Sequence, residues 1–147
     1  MEVWQRILKV RVLVISPKED MVPWIKFANL CRKSGRLSLA YKSLYGLLTN
    51  PHKDFALLDP HNNPAPVVYA SLKYLWASGA RDQSYGQMNE FTKGLVERLG
   101  ISSLNNLAAH IETIQEPEKV ALLKILARCY SKLGEWQIAL TDELDDV

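Results

Sequence analysis

Two short helical patterns that meet at one glycine constrain this 147-residue chain more than any other feature. In the first pattern, apolar residues recur at i, i+3, i+4 and i+7, a spacing that puts them on one helix face. These residues are Trp24, Phe27, Ala28 and Cys31. Gly35 then supplies the left-handed residue that commonly ends a helix, and a second apolar face of the same period follows over 37–48. The stretch predicts two antiparallel helices joined by a tight turn.

This unit matches the tetratricopeptide repeat pattern, in which the first helix carries a small residue at the point where two helices approach closely. Ala28 takes that position. A similar unit recurs late in the chain, with Ala127 in the same place and Gly134 in the place of Gly35, and a weaker match surrounds Gly79. We therefore predict an all-α fold, an irregular α-solenoid of antiparallel helix pairs, with neighbouring helices pressed against both alanines.

Prolines and glycines that begin and end the helical patterns divide the chain into repeat units. The units are predicted over about 17–49, 66–99 and 117–143, with Gly134 ending a helix inside the last of them. A proline- and asparagine-rich loop is predicted over 50–65, and a short helix over 104–114.

The first apolar stretch, residues 3–15, suits a helix, although its last four residues alone would suit a strand. It is too short to span a bilayer and carries Lys and Arg, so we predict no transmembrane segment. Because the chain starts inside a helical pattern, we expect an excised fragment whose uncovered apolar faces can support dimerisation. Cys31 and Cys129 lie on apolar helix faces, which predicts buried, reduced thiols of an intracellular protein.

No motif for catalysis is present: the chain lacks glycine-rich phosphate loops, a nucleophile elbow and kinase signatures. His52 and His61 share the predicted loop with Asp54 and Asp59, but their spacing fits no metal site. We predict no catalytic residue, no metal and no required cofactor. The aromatic residues recur at helix-interior spacing, which indicates core packing rather than nucleic-acid binding.

Charge is distributed unevenly along the chain. Residues 1–53 carry a net charge of +7, whereas residues 54–147 carry −5. Several Lys and Arg residues lie off the apolar stripes, and corresponding positions of successive repeats line one surface of a solenoid. Such cations can converge on a polyphosphate through charge-assisted hydrogen bonds. A scattered, solvated surface accounts for the same residues.

Two stretches resemble a known family. Residues 3–44, VWQRILKVRVLVISPKEDMVPWIKFANLCRKSGRLSLAYKSL, resemble the FAT domain of TOR (target of rapamycin) kinases, particularly fungal ones, and residues 127–140, ARCYSKLGEWQIAL, resemble the same domain further on. The resemblance implies a non-catalytic, tetratricopeptide-like scaffold that wraps around the kinase domain of a longer protein serine/threonine kinase. It implies as partners the rest of that kinase, its complex subunits and its regulators. It also implies a role in nutrient signalling and a cytoplasmic location, with peripheral association at vacuolar or lysosomal membranes.

The resemblance also implies a ligand, because a basic pocket of the FAT domain in this family binds inositol hexakisphosphate. The local match carries that role to four cations, Lys26, Lys33, Arg81 and Lys124. Ala77 stands where the family can supply another cation, and Glu135 stands where a contact between elements can restrain the kinase. The alternative function is a free-standing peptide-binding adaptor of the tetratricopeptide kind, which would present a concave polar groove.

Overall fold

The computed structural model of the protein describes residues 1–49, 59–100 and 116–145, and six helices make up most of them. The helices are α1 (Glu2–Val12), α2 (Met21–Lys33), α3 (Leu37–Tyr45), α4 (Ala65–Ala77), α5 (Arg81–Leu99) and α6 (Pro117–Asp145). The described residues contain no strand, so the all-α prediction is confirmed and the strand alternative near residue 15 is wrong. The chain divides into two compact units, Met1–Gln83 and Ser84–Val147. The predicted helix over 104–114 and most of the predicted loop over 50–65 lie outside the described residues.

Helices α2 and α3 form the predicted hairpin, and Gly35 ends α2. This glycine has a φ of 79°, in the left-handed region, and its N–H donates to the Arg32 carbonyl at 3.1 Å. The N–H of Arg36 donates to the Cys31 carbonyl at 2.8 Å. The two bonds form a Schellman motif, which satisfies carbonyl groups that the end of a helix leaves without partners. The end of α4 repeats the arrangement at Gly79, whose φ is 101°.

The core of the first unit lies along one face of α2. One cluster of it consists of Leu8, Phe27, Cys31 and Ala40, contributed by the first three helices. Helix α4 packs against both α2 and α3, and eight of its thirteen residues are buried. Ala28 is buried on α2, as predicted for a site of close helix approach. Cys31 and, in the second unit, Cys129 are buried and form no disulfide, and burial raises the pKa of the Cys31 thiol.

An ion pair joins α1 to the start of α2. The Arg11 guanidinium contacts both carboxylate oxygens of Asp20, with Nε–Oδ2 and Nη2–Oδ1 distances of 2.6 and 2.5 Å. Such two-pronged contacts fix geometry as well as charge. Asp20 precedes α2 at the capping position, yet its side chain makes no capping hydrogen bond because Arg11 occupies both oxygens. The hydrogen bonds to Arg11 lower the pKa of the Asp20 carboxyl.

Helix α1 leaves an apolar stripe uncovered. Val3, Ile7, Val10 and Val14 recur at helical spacing from α1 into the turn after it, and each is at least 49% exposed. The expected uncovered apolar face is therefore present on α1, whereas dimerisation through it stays a prediction. No helix in the described ranges combines the length and the hydrophobicity that crossing a bilayer requires.

The second unit corrects two predictions. Helix α6 runs for 29 residues through Gly134, so the predicted helix end at that glycine is wrong. Its buried residues continue on both sides of Gly134 at a helical period, since Cys129, Leu133 and Trp136 belong to one stripe. Burial of that stripe favours one continuous helix, because glycine inside a helix costs only about 1 kcal/mol relative to alanine. Ala127 lies off the stripe and is exposed, so the predicted close helix contact there is also wrong. The division of the whole chain into three repeat units stays a prediction.

Two glycine substitutions should have opposite effects on stability. An added Cβ at Gly134 would meet no atom within 4 Å, so Gly134→Ala should raise the free energy of unfolding by about 0.5–1 kcal/mol. Gly35→Ala should lower it by about 1–2 kcal/mol, because alanine pays for the left-handed conformation. Urea denaturation followed by circular dichroism measures both. A destabilised Gly134→Ala protein would contradict the continuous helix.

Replacement of Asp20 should lower stability by an amount that depends on pH. Because Arg11 lowers the pKa of this carboxyl, the carboxylate stabilises the fold above the ordinary carboxyl pKa of about 4. That contribution disappears as the pH falls through the lower pKa of the folded state. Asp20→Asn should therefore lower Tm at neutral pH, with a deficit that shrinks in acid. Glu19→Gln, at the exposed neighbouring position, is the control and should leave Tm nearly unchanged. A deficit for Asp20→Asn that stayed constant down to low pH would contradict the ion pair.

Candidate anion-binding surface

The outer face of α2 carries two of the predicted ligand residues, Lys26 and Lys33. Trp24, Phe27 and Cys31 face the core. Lys26 and Lys33 lie on the opposite side of the helix, and both are exposed. They are seven residues apart, which places them on the same face about 10 Å apart along the helix axis. Neither forms an ion pair with any residue in the described ranges. Two cations on one face are thus available to an anion.

Arg81, the third predicted ligand residue, is the first residue of α5, directly after the Gly79 turn. Its guanidinium carbon lies 4.9 Å from the centroid of the Trp76 ring, which is a cation–π contact. The arginine is exposed, so the contact orients the guanidinium while leaving the group open to solvent. Arg81 belongs to the same compact unit as Lys26 and Lys33.

Lys124, the fourth predicted residue, belongs to the second unit, where it is exposed on α6. Ala77, at the end of α4, is exposed and supplies no charge. Glu135 forms an ion pair at 3.0 Å with Lys132, one turn earlier on the same helix. The contact that the structure gives Glu135 is therefore local to α6.

Arg32 is a positively charged residue whose partial burial the sequence did not predict. It is half-buried in the last turn of α2, and its Nε atom is buried without a hydrogen-bond partner in the described part of the chain. Burial lowers the pKa of the Arg32 guanidinium, an effect that the nearby Tyr69 partly opposes. Lys73 lies over the Tyr69 ring, with its Nζ atom 4.5 Å from the ring centroid. The available sequence signal was the position of Arg32 directly after the buried Cys31, at the edge of the apolar stripe.

A positive group that is partly removed from water and lacks a full set of acceptors is stabilised by an anion. Exposed lysines without carboxylate partners offer ammonium donors to phosphate oxygens, and guanidinium groups can contact two such oxygens at once. The first unit can therefore offer positive charge and hydrogen-bond donors to an anion.

Asp59 and His61 are the described residues among the four considered for a metal site in the predicted loop. Among the described residues, no three His, Cys, Asp or Glu side chains are grouped as metal ligands, and His52 and Asp54 lie outside those residues. Asp59 accepts a hydrogen bond at 2.9 Å from the backbone N–H of His61. Asp59 and His61 thus belong to a local turn.

Comparison with known proteins identifies the relatives of this chain. The family model of the FAT domain matches residues 1–146. The chain is 47% identical over 146 residues to the serine/threonine-protein kinase TOR2 of Saccharomyces cerevisiae, an alignment that covers 95% of the chain and 6% of that protein. It is 38% identical over 145 residues to the serine/threonine-protein kinase TOR of Arabidopsis thaliana, covering 99% of the chain and 6% of that protein. With tor1 of Schizosaccharomyces pombe the identity is 35% over 155 residues. The chain thus spans about one-sixteenth of the length of these relatives.

Proposed function

The chain belongs to the FAT domain family, and on this premise we propose that it is a non-catalytic scaffold segment of a TOR protein kinase. In this role it supports the kinase domain, contacts neighbouring helical repeats and contributes cations to an inositol-polyphosphate site. Its natural partners are then the rest of the kinase and the subunits of its complex. The observation that carries the proposal is the match of the FAT model to residues 1–146, together with relatives that are protein kinases.

The architecture of the described residues supports a scaffold. The buried residues form apolar helix faces, and α1 leaves a further apolar face exposed, which suits packing against other helices. Such a segment acts by holding its neighbours in place, so its contribution is measured through the longer protein.

The scaffold role predicts that this chain can replace the matching segment of a relative. In TOR2 of Saccharomyces cerevisiae, exchange of the aligned segment for this chain should preserve at least about half of the protein kinase activity, because 47% identity conserves the packing pattern. Purified chimera and parent would be compared in a phosphorylation assay. The matched control is the same chimera with Phe27→Ala, which should lose about 3–5 kcal/mol of segment stability and with it the activity. A soluble chimera without activity would contradict the scaffold role.

The ligand part of the proposal rests on the α2 face. Lys26 and Lys33 carry no ion pair in the described ranges, and Arg81 is held by Trp76 in the same unit. Inositol hexakisphosphate is compact and densely anionic, so several cations can contact it together through charge-assisted hydrogen bonds. Arg32 adds a partly buried positive charge at the end of the same helix.

Calorimetry with inositol hexakisphosphate tests this site. The double substitution Lys26→Met and Lys33→Met keeps the alkyl stems, removes two charges and should weaken binding about 10- to 100-fold, with a smaller salt dependence. The matched control is Lys9→Met with Lys42→Met, which removes two exposed charges of the same unit from α1 and α3 and should change affinity less than about threefold. Equal losses in the two variants would show general charge attraction, and absence of heat at low salt would overturn the ligand assignment for this chain.

A further inference from the structure

A cleft between the first three helices is separate from the outer face of α2. It has a volume of about 250 Å³, lies within the first compact unit and opens to solvent on one side. Its apolar walls are formed by Leu8, Trp24, Phe27 and Leu39. Leu8 and Phe27 are almost completely buried and belong to the core, so the walls are held in place without an occupant. Its volume lies just below the roughly 300–1,000 Å³ of drug-sized ligand sites, so it suits a smaller molecule.

The polar residues of the cleft are predominantly cationic. Lys9 of α1 and Lys42 of α3 both line it and are both exposed. Neither lysine forms an ion pair with a described residue, and the side-chain amide of Gln5 makes no hydrogen bond there. The hydroxyl of Ser43 donates to the Leu39 carbonyl at 2.8 Å, so its oxygen remains able to accept. The cleft therefore combines an apolar interior with two lysines and an amide that line it and can donate hydrogen bonds.

We propose that this cleft binds a small carboxylate with an apolar body, such as a medium-chain fatty acid, with the carboxylate between Lys9 and Lys42. The volume holds about eight water molecules at ~30 Å³ each, which corresponds to an apolar body of roughly eight to ten heavy atoms. Burial of that body in contact with Trp24 and Phe27 removes apolar surface from water. The two lysines select an anionic over a cationic head group. The inference goes beyond the scaffold role and does not depend on it.

A hydrophilic polyphosphate is not the ligand that this cleft selects. Half of the residues that line it are apolar, and a multiply charged ligand would lose hydration against Leu8 and Phe27. The α2 face and the cleft thus differ in what lies beneath their lysines. The same pairs of substitutions can therefore be used for both sites, with each pair as the control for the other.

Octanoate, 1-octanol and octylammonium are the probes, because they share one apolar body and differ in the charge of the head group. They would be titrated into the ¹⁵N-labelled 147-residue chain, whose four tryptophans give four indole N–H signals. Trp24→Phe identifies the Trp24 signal. Octanoate should shift it with a Kd on the order of 0.1–1 mM, and octylammonium should bind at least about tenfold more weakly.

Substitutions then separate the contribution of the two lysine charges to binding from that of the apolar cleft. Lys9→Met with Lys42→Met should weaken octanoate about tenfold and leave octanol unchanged, whereas Lys26→Met with Lys33→Met should change neither. Leu39→Trp fills the cleft and should abolish binding of both probes, with the remaining signals reporting that the chain is folded. Equal affinity for octanoate and octylammonium, or no shift of the Trp24 signal with any probe, would overturn the proposal. Tighter binding of the blocked peptide Asp-Phe-Asp than of octanoate would also overturn it, in favour of a protein side chain as occupant.

Discussion

Burial of one face of α2 is the interaction on which the first unit depends. Phe27, Ala28 and Cys31 on that face are at most 2% exposed, and α2 packs against α1, α3 and α4. Small residues at two of these positions allow a close approach of neighbouring helices, and the Phe27 ring fills space in the core. With that face fixed, the opposite face of α2 must meet water or another partner. The positions of Lys26 and Lys33 are a direct consequence.

The same packing produces two cationic surfaces of different character. On the outer face of α2, Lys26 and Lys33 lie on an exposed helix surface, which suits a hydrophilic, multiply charged ligand. Between α1 and α3, Lys9 and Lys42 border walls that belong to the core, and these walls suit an apolar body with one charged group. Electrostatics is similar at the two places, since each offers two ammonium groups. The two surfaces differ in desolvation, because only the cleft can remove the apolar body of a ligand from water.

Local sequence signals predicted helix boundaries correctly where the boundary depends only on a short stretch of the chain. The φ values of Gly35 and Gly79 show why: a left-handed residue followed by a short turn is a local event that glycine permits at little cost. The start of α6 at Pro117 also agreed with the predicted start of the last unit. Gly134 differed because glycine permits a helix end without requiring one, and burial of Leu133 and Trp136 favoured continuation. The predicted burial of Ala127 was wrong because the buried stripe of α6 passes to one side of this residue.

The sequence by itself determined the helical class, the family resemblance and the candidate cations, because apolar periodicity, turn glycines and local motifs are properties of short stretches. Tertiary structure decided which of these residues matter together. It engaged Asp20 with Arg11 instead of with its own helix, left Arg32 partly desolvated beside Tyr69, and brought Lys9 and Lys42 to one cleft. Each of these outcomes depends on contacts between helices that are separated along the chain. No local pattern specifies such contacts, since packing, burial and desolvation exist only once the helices have come together.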